Sequence, residues 1–90
     1  PVMPGVLQME ALAQVAGILL NKRNKRDGQI AYFSSIDKAR FRKIVRPGDT
    51  LMMEIVMIKA RPNLAKVQAT ARVDDVVVSE GELMFHVERS

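Results

Sequence analysis

The segment between Val6 and Leu20 limits the possible folds more than any other part of the chain. It is apolar apart from Gln8, Glu10 and Gln14, and its apolar side chains, at helical spacing, cover nearly every direction around the axis. A helix that is apolar all round is one enclosed by protein. The segment is too short to cross a bilayer comfortably, and it lacks the basic leader and small-residue cleavage site of a signal peptide. We therefore predict a buried central helix.

The rest of the chain has the two-residue alternation of β-strands. A polar and basic exit from Asn21 to Gly28 ends the helix. Turn sequences at Arg46–Asp49 and Arg61–Asn63 divide the C-terminal two thirds of the chain, and Asp74-Asp75 fits a tight hairpin. The pattern predicts four mainly antiparallel strands, over Ile30–Arg42, Thr50–Ala60, Leu64–Asp74 and Val76–Glu88.

The alternation also predicts which strand residues face the helix. An irregularity is expected near Ser34 and Ser35, and the second strand is apolar on both faces, as an interior strand covered on two sides would be. The predicted inward residues of the other three strands are Ala31, Phe33, Ala39 and Phe41, then Ala65, Val67, Ala69, Ala71 and Val73, then Val77, Leu83, Phe85 and Val87. The expected fold class is α+β, with a sheet that wraps the helix.

Length and composition limit the number of domains and suggest a partner. The chain has 90 residues, of which 48% are hydrophobic, and a domain of this size buries only about 60% of its unfolded surface. We therefore expect residues 1–90 to form a single domain within an oligomer. The sequence contains no cysteine, which excludes a disulfide scaffold and a cysteine-rich zinc site. The expected location is the cytoplasm.

Glu10 is the residue whose position most needs an explanation. A carboxylate within an apolar helix loses several kcal/mol of hydration unless it is paired or used. Gln14 shares its face, so the two side chains can contact each other or one ligand. Gly5 stands at the expected start of the helix, where free N–H groups favour negative charge and could polarise a thioester carbonyl. Simpler alternatives remain open: Glu10 is solvated or bonded to Gln14, and Gly5 only permits a turn.

Other kinds of site have weaker support in the sequence. His86, the only histidine, lies in the predicted last strand, where a structural or exposed position is expected. There is no glycine-rich phosphate loop, metal-ligand spacing or nucleophile elbow. The net charge of +4 favours an acidic partner, but aromatic residues make up only 4% of the chain, too few for the stacking platforms of a single-strand nucleic-acid binder.

Two stretches resemble a known family. The run from Pro1 to Gln14, PVMPGVLQMEALAQ, is similar to the signature of FabZ-type β-hydroxyacyl-acyl carrier protein dehydratases. In that signature Pro-Gly-Val-Leu opens the central helix, and Glu-Ala-(Leu/Met)-Ala-Gln carries the catalytic acid. IDKARFR at 36–42, followed by VRPGD at 45–49, resembles a second stretch of the same family. The resemblance covers essentially the whole chain.

The resemblance implies a fold, a reaction and partners. The fold is the hot-dog fold, a long central helix in a curved antiparallel sheet, and its subunits form homodimers, often three to a hexamer. The reaction is loss of water from a (3R)-hydroxyacyl group on the phosphopantetheine arm of acyl carrier protein, giving the trans-2-enoyl thioester without a further cofactor. No metal, nucleic acid or membrane insertion is implied.

Site residues follow from the same resemblance. Glu10 matches the acid that assists departure of the hydroxyl, Gly5 the amide that binds the thioester carbonyl, and Gln14 the glutamine that helps hold the site. The acidic carrier is expected to dock on two basic runs, the second of which begins at Lys38, although such runs are usually only solvated surface. The candidate docking residues are Lys22, Arg23, Lys25, Arg26, Arg40, Arg42, Lys43 and Arg46.

One departure from the family concerns the base. The family's base is the histidine of a His-Phe-Pro-Gly-x-Pro segment, whose final proline aligns with Pro1, and His86 does not match it. We therefore expect this chain to be the C-terminal portion of a longer protein, without the family's first helix and strand and inactive alone. The alternatives are another hot-dog acyl-thioester hydratase or thioesterase, an inactive interaction module and, supported by charge alone, a nucleic-acid binder.

Overall fold

The computed structural model describes residues 5–24 and 28–89, and in this part of the chain a helix is followed by four strands. The elements are α1 (Gly5–Asn24), β1 (Gln29–Phe41), β2 (Met52–Arg61), β3 (Leu64–Val73) and β4 (Val76–Arg89). The strands form one antiparallel sheet in the order β1-β4-β3-β2. The predicted α+β class and the four strands are confirmed. Pro1 to Pro4 of the signature lie outside the described residues.

α1 packs one face across the sheet. Met9, Leu12, Ala16 and Leu20 follow helical spacing and are buried, whereas the opposite face leaves Ile18 61% exposed. The prediction of a helix enclosed on all sides is therefore wrong for this chain, because four strands cover one side of it. The helix also runs past the expected end at Leu20 to Asn24. Lys22 and Arg23 favour this extension, since cations stabilise the negative end of the helix dipole.

The inner face of the sheet is largely as predicted. β3 presents Ala65, Val67, Ala69 and Ala71, and β4 presents Leu83, Phe85 and Val87, all of them buried. Val77 is an exception, because a register shift in the β3–β4 pairing places Val78 inward and leaves Val77 half-buried. The predicted hairpin is confirmed: Asp74 and Asp75 have φ values of 52° and 63°, as a type I′ turn requires.

β2 is an edge strand, and the prediction that it is an interior strand is wrong. Its outward residues Met52, Val56 and Ile58 are 64%, 51% and 48% exposed. Its inward residues Met53, Ile55 and Met57 are only half-buried. Among the strands that the structure describes, β2 thus has a neighbour on one side only, although both of its faces are apolar.

Two bulges set the direction of the side chains on β1. The register with β4 shifts between Phe33 and Ser35, near the predicted irregularity, and again between Asp37 and Arg40. Lys38 adopts a φ of 53° at the second bulge, and its N–H donates a hydrogen bond of 2.9 Å to Asp37 Oδ1. Because of these shifts, the residues of β1 that face the helix are not spaced regularly two apart along the strand.

Candidate active site

A groove of about 820 Å³ lies between α1 and the edge strand β1. The two elements face each other there, and β4 forms the back wall. The lining residues are Met9, Glu10, Ala13, Gln14 and Gly17 of α1, Ala31, Phe33, Ile36, Ala39 and Phe41 of β1, and Phe85 of β4. Glu10 and Gln14 are the polar members of this lining. The groove therefore combines one carboxylate and one amide with apolar walls.

Helical spacing brings Glu10 and Gln14 to the same side of α1. Both are exposed in this chain, and neither side chain forms a hydrogen bond or ion pair with another described residue. The alternative that Gln14 satisfies Glu10 as a structural pair therefore finds no contact to support it. Both side chains are available to a molecule that enters the groove.

The start of α1 adds a second polar feature near Glu10. The helix begins at Gly5 and has no acidic residue in its first turn. First-turn N–H groups have no acceptor within a helix, and the dipole makes this end positive. At a rise of 1.5 Å per residue, Gly5 and Glu10 are about 7.5 Å apart along the axis. An anionic oxygen and a hydroxyl on one small substrate could reach the two positions together.

The walls of the groove are formed by close apolar packing. The rings of Phe33 and Phe85 meet edge to face, with their centroids 5.8 Å apart at 75°. At the Glu10 end, Met9 and Ala39 close over Gly81: a Cβ on that glycine would stand 2.7 Å from Met9 Cε and 3.4 Å from Ala39 Cα. Met9 and Ala39 of the groove lining thus pack closely on Gly81 of β4.

His86 lies away from the groove. Its Nε2 is 2.9 Å from Glu88 Oε1 on the same strand, its side chain is about half exposed, and it is not among the groove-lining residues. In the part of the chain that the structure describes, no three His, Cys, Asp or Glu residues come together to hold a metal ion. No described helix is long and apolar enough to cross a membrane.

The predicted carrier-docking residues differ in their environments. Arg42 is committed to Glu80, with Nη2 and Oε1 2.9 Å apart. Lys25 and Arg26 lie outside the described residues. The other predicted docking cations form no ion pair with a described acid, and they stand at opposite ends of the groove: Lys22 and Arg23 near the end of α1, and Arg40, Lys43 and Arg46 near the end of β1.

A cluster of charged side chains from β1, β3 and β4 surrounds Glu82, outside the groove. Lys66 Nζ is 2.9 Å from Glu82 Oε1, and Lys38 Nζ is 3.5 Å from Glu82 Oε2. The hydrogen bond from Lys66, with a smaller effect of Lys38, holds the pKa of Glu82 below its ordinary value, although partial burial opposes the shift. The same bond raises the pKa of Lys66.

Sequence reasoning misses several lining residues. Ile36 is not predicted to face inward, because the bulges of β1 break the alternation on which such predictions depend. Met9 and Gly17 are not among the predicted site residues either. Gly17 carries a signal that could have identified it, since a glycine inside a helix is unfavourable and often has a functional or packing reason.

Solved structures share this architecture. A thioesterase from Haemophilus influenzae matches with a TM-score of 0.82 and 21% identity over 98% of this chain and 60% of that one. A chain of a dehydratase heterocomplex from Xenorhabdus doucetiae matches with a TM-score of 0.81 and 14% identity over 99% of this chain and 62% of that one. The α+β hot-dog fold is thereby confirmed.

The family follows from sequence comparison. The model of the FabA-like domain matches residues 1–82, so this chain belongs to the FabA-like domain family. It is similar to 3-hydroxyacyl-[acyl-carrier-protein] dehydratase FabZ of Lactobacillus helveticus, with 52% identity over 97% of this chain and 59% of the relative. The FabZ dehydratase of Clostridioides difficile is 49% identical over 94% of this chain and 60% of the relative. The chain spans about 60% of the length of these curated relatives.

Proposed function

We propose that this chain supplies the acid side of the active site in a dehydratase that acts on (3R)-3-hydroxyacyl groups carried by acyl carrier protein. The observation that carries the proposal is the position of Glu10, the one carboxylate among the described residues that line the apolar groove beside the start of α1. The similarity to FabZ dehydratases over nearly the whole chain agrees with this position. The reaction belongs to fatty acid synthesis in the cytoplasm and needs no cofactor besides the carrier arm.

The proposed chemistry uses three positions along α1. The N–H of Gly5 binds the thioester carbonyl oxygen, where the helix dipole stabilises developing negative charge. A base removes the C2 proton, the C3–O bond breaks, and protonated Glu10 gives its proton to the departing hydroxyl, which leaves as water. Gln14 hydrogen bonds to the hydroxyl and orients it. The products are the trans-2-enoyl thioester, one water, a protonated base and the Glu10 carboxylate, and transfer of a proton from the base back to Glu10 restores the starting state.

The base is proposed to lie outside this chain. His86 is bonded to Glu88 and does not line the groove. By resemblance to FabZ-type dehydratases, a histidine of a His-Phe-Pro-Gly segment preceding Pro1 supplies it. The functional protein on this proposal contains the residues that the curated relatives have and this chain lacks.

A second copy of the chain is proposed to cover the open side of the groove. Phe33, Ile36 and Phe41 are 48%, 40% and 53% exposed, and β1 has no partner strand on its outer edge among the strands that the structure describes. An apolar strand with a free edge favours pairing with another chain. We propose homodimers that join at β1, with three dimers in a hexamer as the resemblance implies.

The acidic carrier protein is proposed to dock at the β1 end of the groove. Lys43 follows the groove-lining Phe41 by two residues, and Arg40, Lys43 and Arg46 have no acid partner among the described residues. A thioester held between Gly5 and Glu10 would leave the groove at this end. Lys22 and Arg23 lie at the other end of α1, farther from the reacting carbons.

The test compares the 90-residue chain alone with the same chain joined to the N-terminal segment of the Lactobacillus helveticus relative. Both are given 3-hydroxybutanoyl groups on acyl carrier protein, and enoyl thioester is measured by its absorbance. We expect activity only with the added segment, and its loss when the histidine of that segment is replaced by alanine.

Other outcomes would contradict parts of the proposal. Activity of the chain alone would show that a group within it serves as the base. Hydrolysis to free acid, or preference for coenzyme A over the carrier, would indicate a thioesterase or acyl-CoA hydratase. A folded chimera with neither activity would favour an inactive interaction module.

A further inference from the structure

Gly17 occupies a position in α1 where the backbone does not need a glycine. Among the described glycines, positive φ values occur at Gly28 and Gly48, both outside the helix. Glycine weakens the middle of a helix relative to alanine. A Cβ at position 17 would meet only Phe85 Cε2 within 4 Å, at an ordinary contact distance of 3.6 Å. The described chain therefore has room for a side chain at this position.

Gly81 of β4 has closer neighbours than Gly17. A Cβ at position 81 would stand 2.7 Å from Met9 Cε, at the end of a flexible side chain, and 3.4 Å from Ala39 Cα in the backbone of β1. At Gly17 the described residues place only Phe85 within 4 Å. A glycine that the packing of the described residues does not require leaves space that another molecule could occupy.

Gly17 lies where two cavities meet. Together with Gln14 it lines both the groove and a second cavity of about 600 Å³. The second cavity continues along α1 past Ile18 and Asn21 to Lys22. A side chain at position 17 would therefore occupy space where the two cavities adjoin on the surface of α1.

The proposed chemistry gives the acyl tail a direction. With the carbonyl at Gly5 and C3 at Glu10, the rest of the acyl chain extends along α1 away from its start. Gly17 is seven residues beyond Glu10, or about 10 Å along the axis at 1.5 Å per residue. Ala13, Phe33 and Phe85 provide apolar contacts on the way. A short acyl chain ends before Gly17, and a long one reaches it.

We infer that Gly17 determines the length of acyl chain that this site accepts. Its missing side chain lets the end of a long acyl group pass from the groove into the second cavity. This inference rests on the proposed dehydratase function and assigns a specificity-determining residue to the same site.

The experiment uses the full-length protein that contains this chain, with 3-hydroxybutanoyl and 3-hydroxydodecanoyl groups on acyl carrier protein. Gly17→Leu is expected to lower the ratio of kcat/KM for the long substrate to that for the short one by about 10-fold or more, the scale of a lost apolar fit. Gly17→Ala should lower the ratio less. Leu19→Phe is the matched control, because Leu19 is on the same helix, 48% exposed and outside the groove lining.

Each result has a defined meaning. An unchanged ratio in a folded and active Gly17→Leu protein would overturn the inference and leave the dehydratase function intact. A wild-type protein that dehydrates neither substrate would overturn the proposed function and the inference with it. If Gly17→Leu does not fold, the test uses Gly17→Ala and measures the dissociation constants of a dodecanoyl-pantetheine and a butanoyl-pantetheine product analogue. The substitution should raise the dissociation constant of the dodecanoyl analogue more than that of the butanoyl analogue. The same ratio of the two dissociation constants in Gly17→Ala and wild type would contradict the inference.

Discussion

The surroundings of Glu10 are the reason for the role that we propose for it. Ala13 and Gly17 share its side of the helix and have small side chains, so a ligand can approach the backbone closely. Glu10 itself is exposed in this chain, so its electrostatic interactions would strengthen only once a bound molecule or partner displaced water from the groove. The same carboxylate on the outer face of the sheet would have no such environment.

Glu10→Gln tests the acid assignment in the full-length protein. Glutamine keeps the size and polarity of the side chain but cannot give a proton to the hydroxyl, so we expect the fold to persist while dehydration falls by at least about 10²-fold. Glu54→Gln is the matched control, because Glu54 contacts Arg72 at 3.3 Å on the outer side and does not line the groove. Turnover near the wild-type rate in Glu10→Gln would exclude Glu10 as the acid.

Gly17 also makes a prediction about stability. Since an alanine Cβ fits beside Phe85, Gly17→Ala should raise the free energy of unfolding by about 0.5–1 kcal/mol, the usual difference between the two residues inside a helix. Urea unfolding of the full-length protein followed by circular dichroism measures this change. A lower free energy of unfolding would mean that packing in the assembled protein requires the glycine, which would remove the functional explanation.

At the scale of elements, β4 is held between cations of its two neighbours. Glu80 contacts Arg42, which follows β1, and Glu82 contacts both Lys38 of β1 and Lys66 of β3. These contacts cross the strands at the second bulge of β1, where the backbone hydrogen bonding is irregular. Side-chain pairing therefore supports the sheet where the ladder itself is weakest.

The Glu82 contacts predict a pH dependence. Because the folded-state pKa of Glu82 lies below its ordinary 4.5, its stabilisation is present above that value and is lost as the pH falls through the lower pKa. The pKa of Lys66 is raised above its ordinary 10.5, so the stabilisation from its charge is present below that value and is lost as the pH rises through the higher pKa. Glu82→Gln should therefore be less stable than wild type at neutral pH and equally stable at strongly acidic pH.

Urea unfolding at both pH values measures this difference. Glu88→Gln is the comparison variant, because Glu88 is exposed and contacts His86 alone among the described residues. If the difference in the free energy of unfolding between Glu82→Gln and wild type stays constant down to acidic pH, the variant acts through packing and not through charge.

Some elements were predictable from sequence and others were not, for physical reasons. The start of α1, the tight hairpin at Asp74-Asp75 and the placement of Glu10 and Gln14 on one side of the helix depend on local spacing. Whether β2 is an edge or interior strand depends on which strands pair, and an apolar strand looks the same in both cases. The β1 wall of the groove depends on bulges, which sequence alternation cannot locate beyond the hint at Ser34-Ser35.

The whole molecule is basic, and the arrangement of its cations predicts where an acidic carrier binds. In the full-length protein, the pair Lys43→Glu and Arg46→Glu should raise KM for the carrier-bound substrate and leave KM for a short pantetheine thioester nearly unchanged. The pair Lys22→Glu and Arg23→Glu is the matched control, with the same change in charge at the other end of α1. If the control pair raises KM for the carrier-bound substrate more, the docking surface lies at the Lys22 and Arg23 end of α1. Equal increases in KM with both substrates would indicate damage to the fold.

The strand order also has a consequence for how the groove comes into being. β3 and β4 are joined by a two-residue turn, and hairpins of this kind form within microseconds. β1, by contrast, pairs with β4 from Gln29 opposite Arg89 to Phe41 opposite Ser79, so it has no neighbour within the described sheet until the last strand has been synthesised. A chain emerging from the ribosome therefore carries Glu10 early but acquires the opposite wall of its groove last, when this long-range contact closes. Partly made chains therefore lack the wall that β1 and β4 form opposite Glu10.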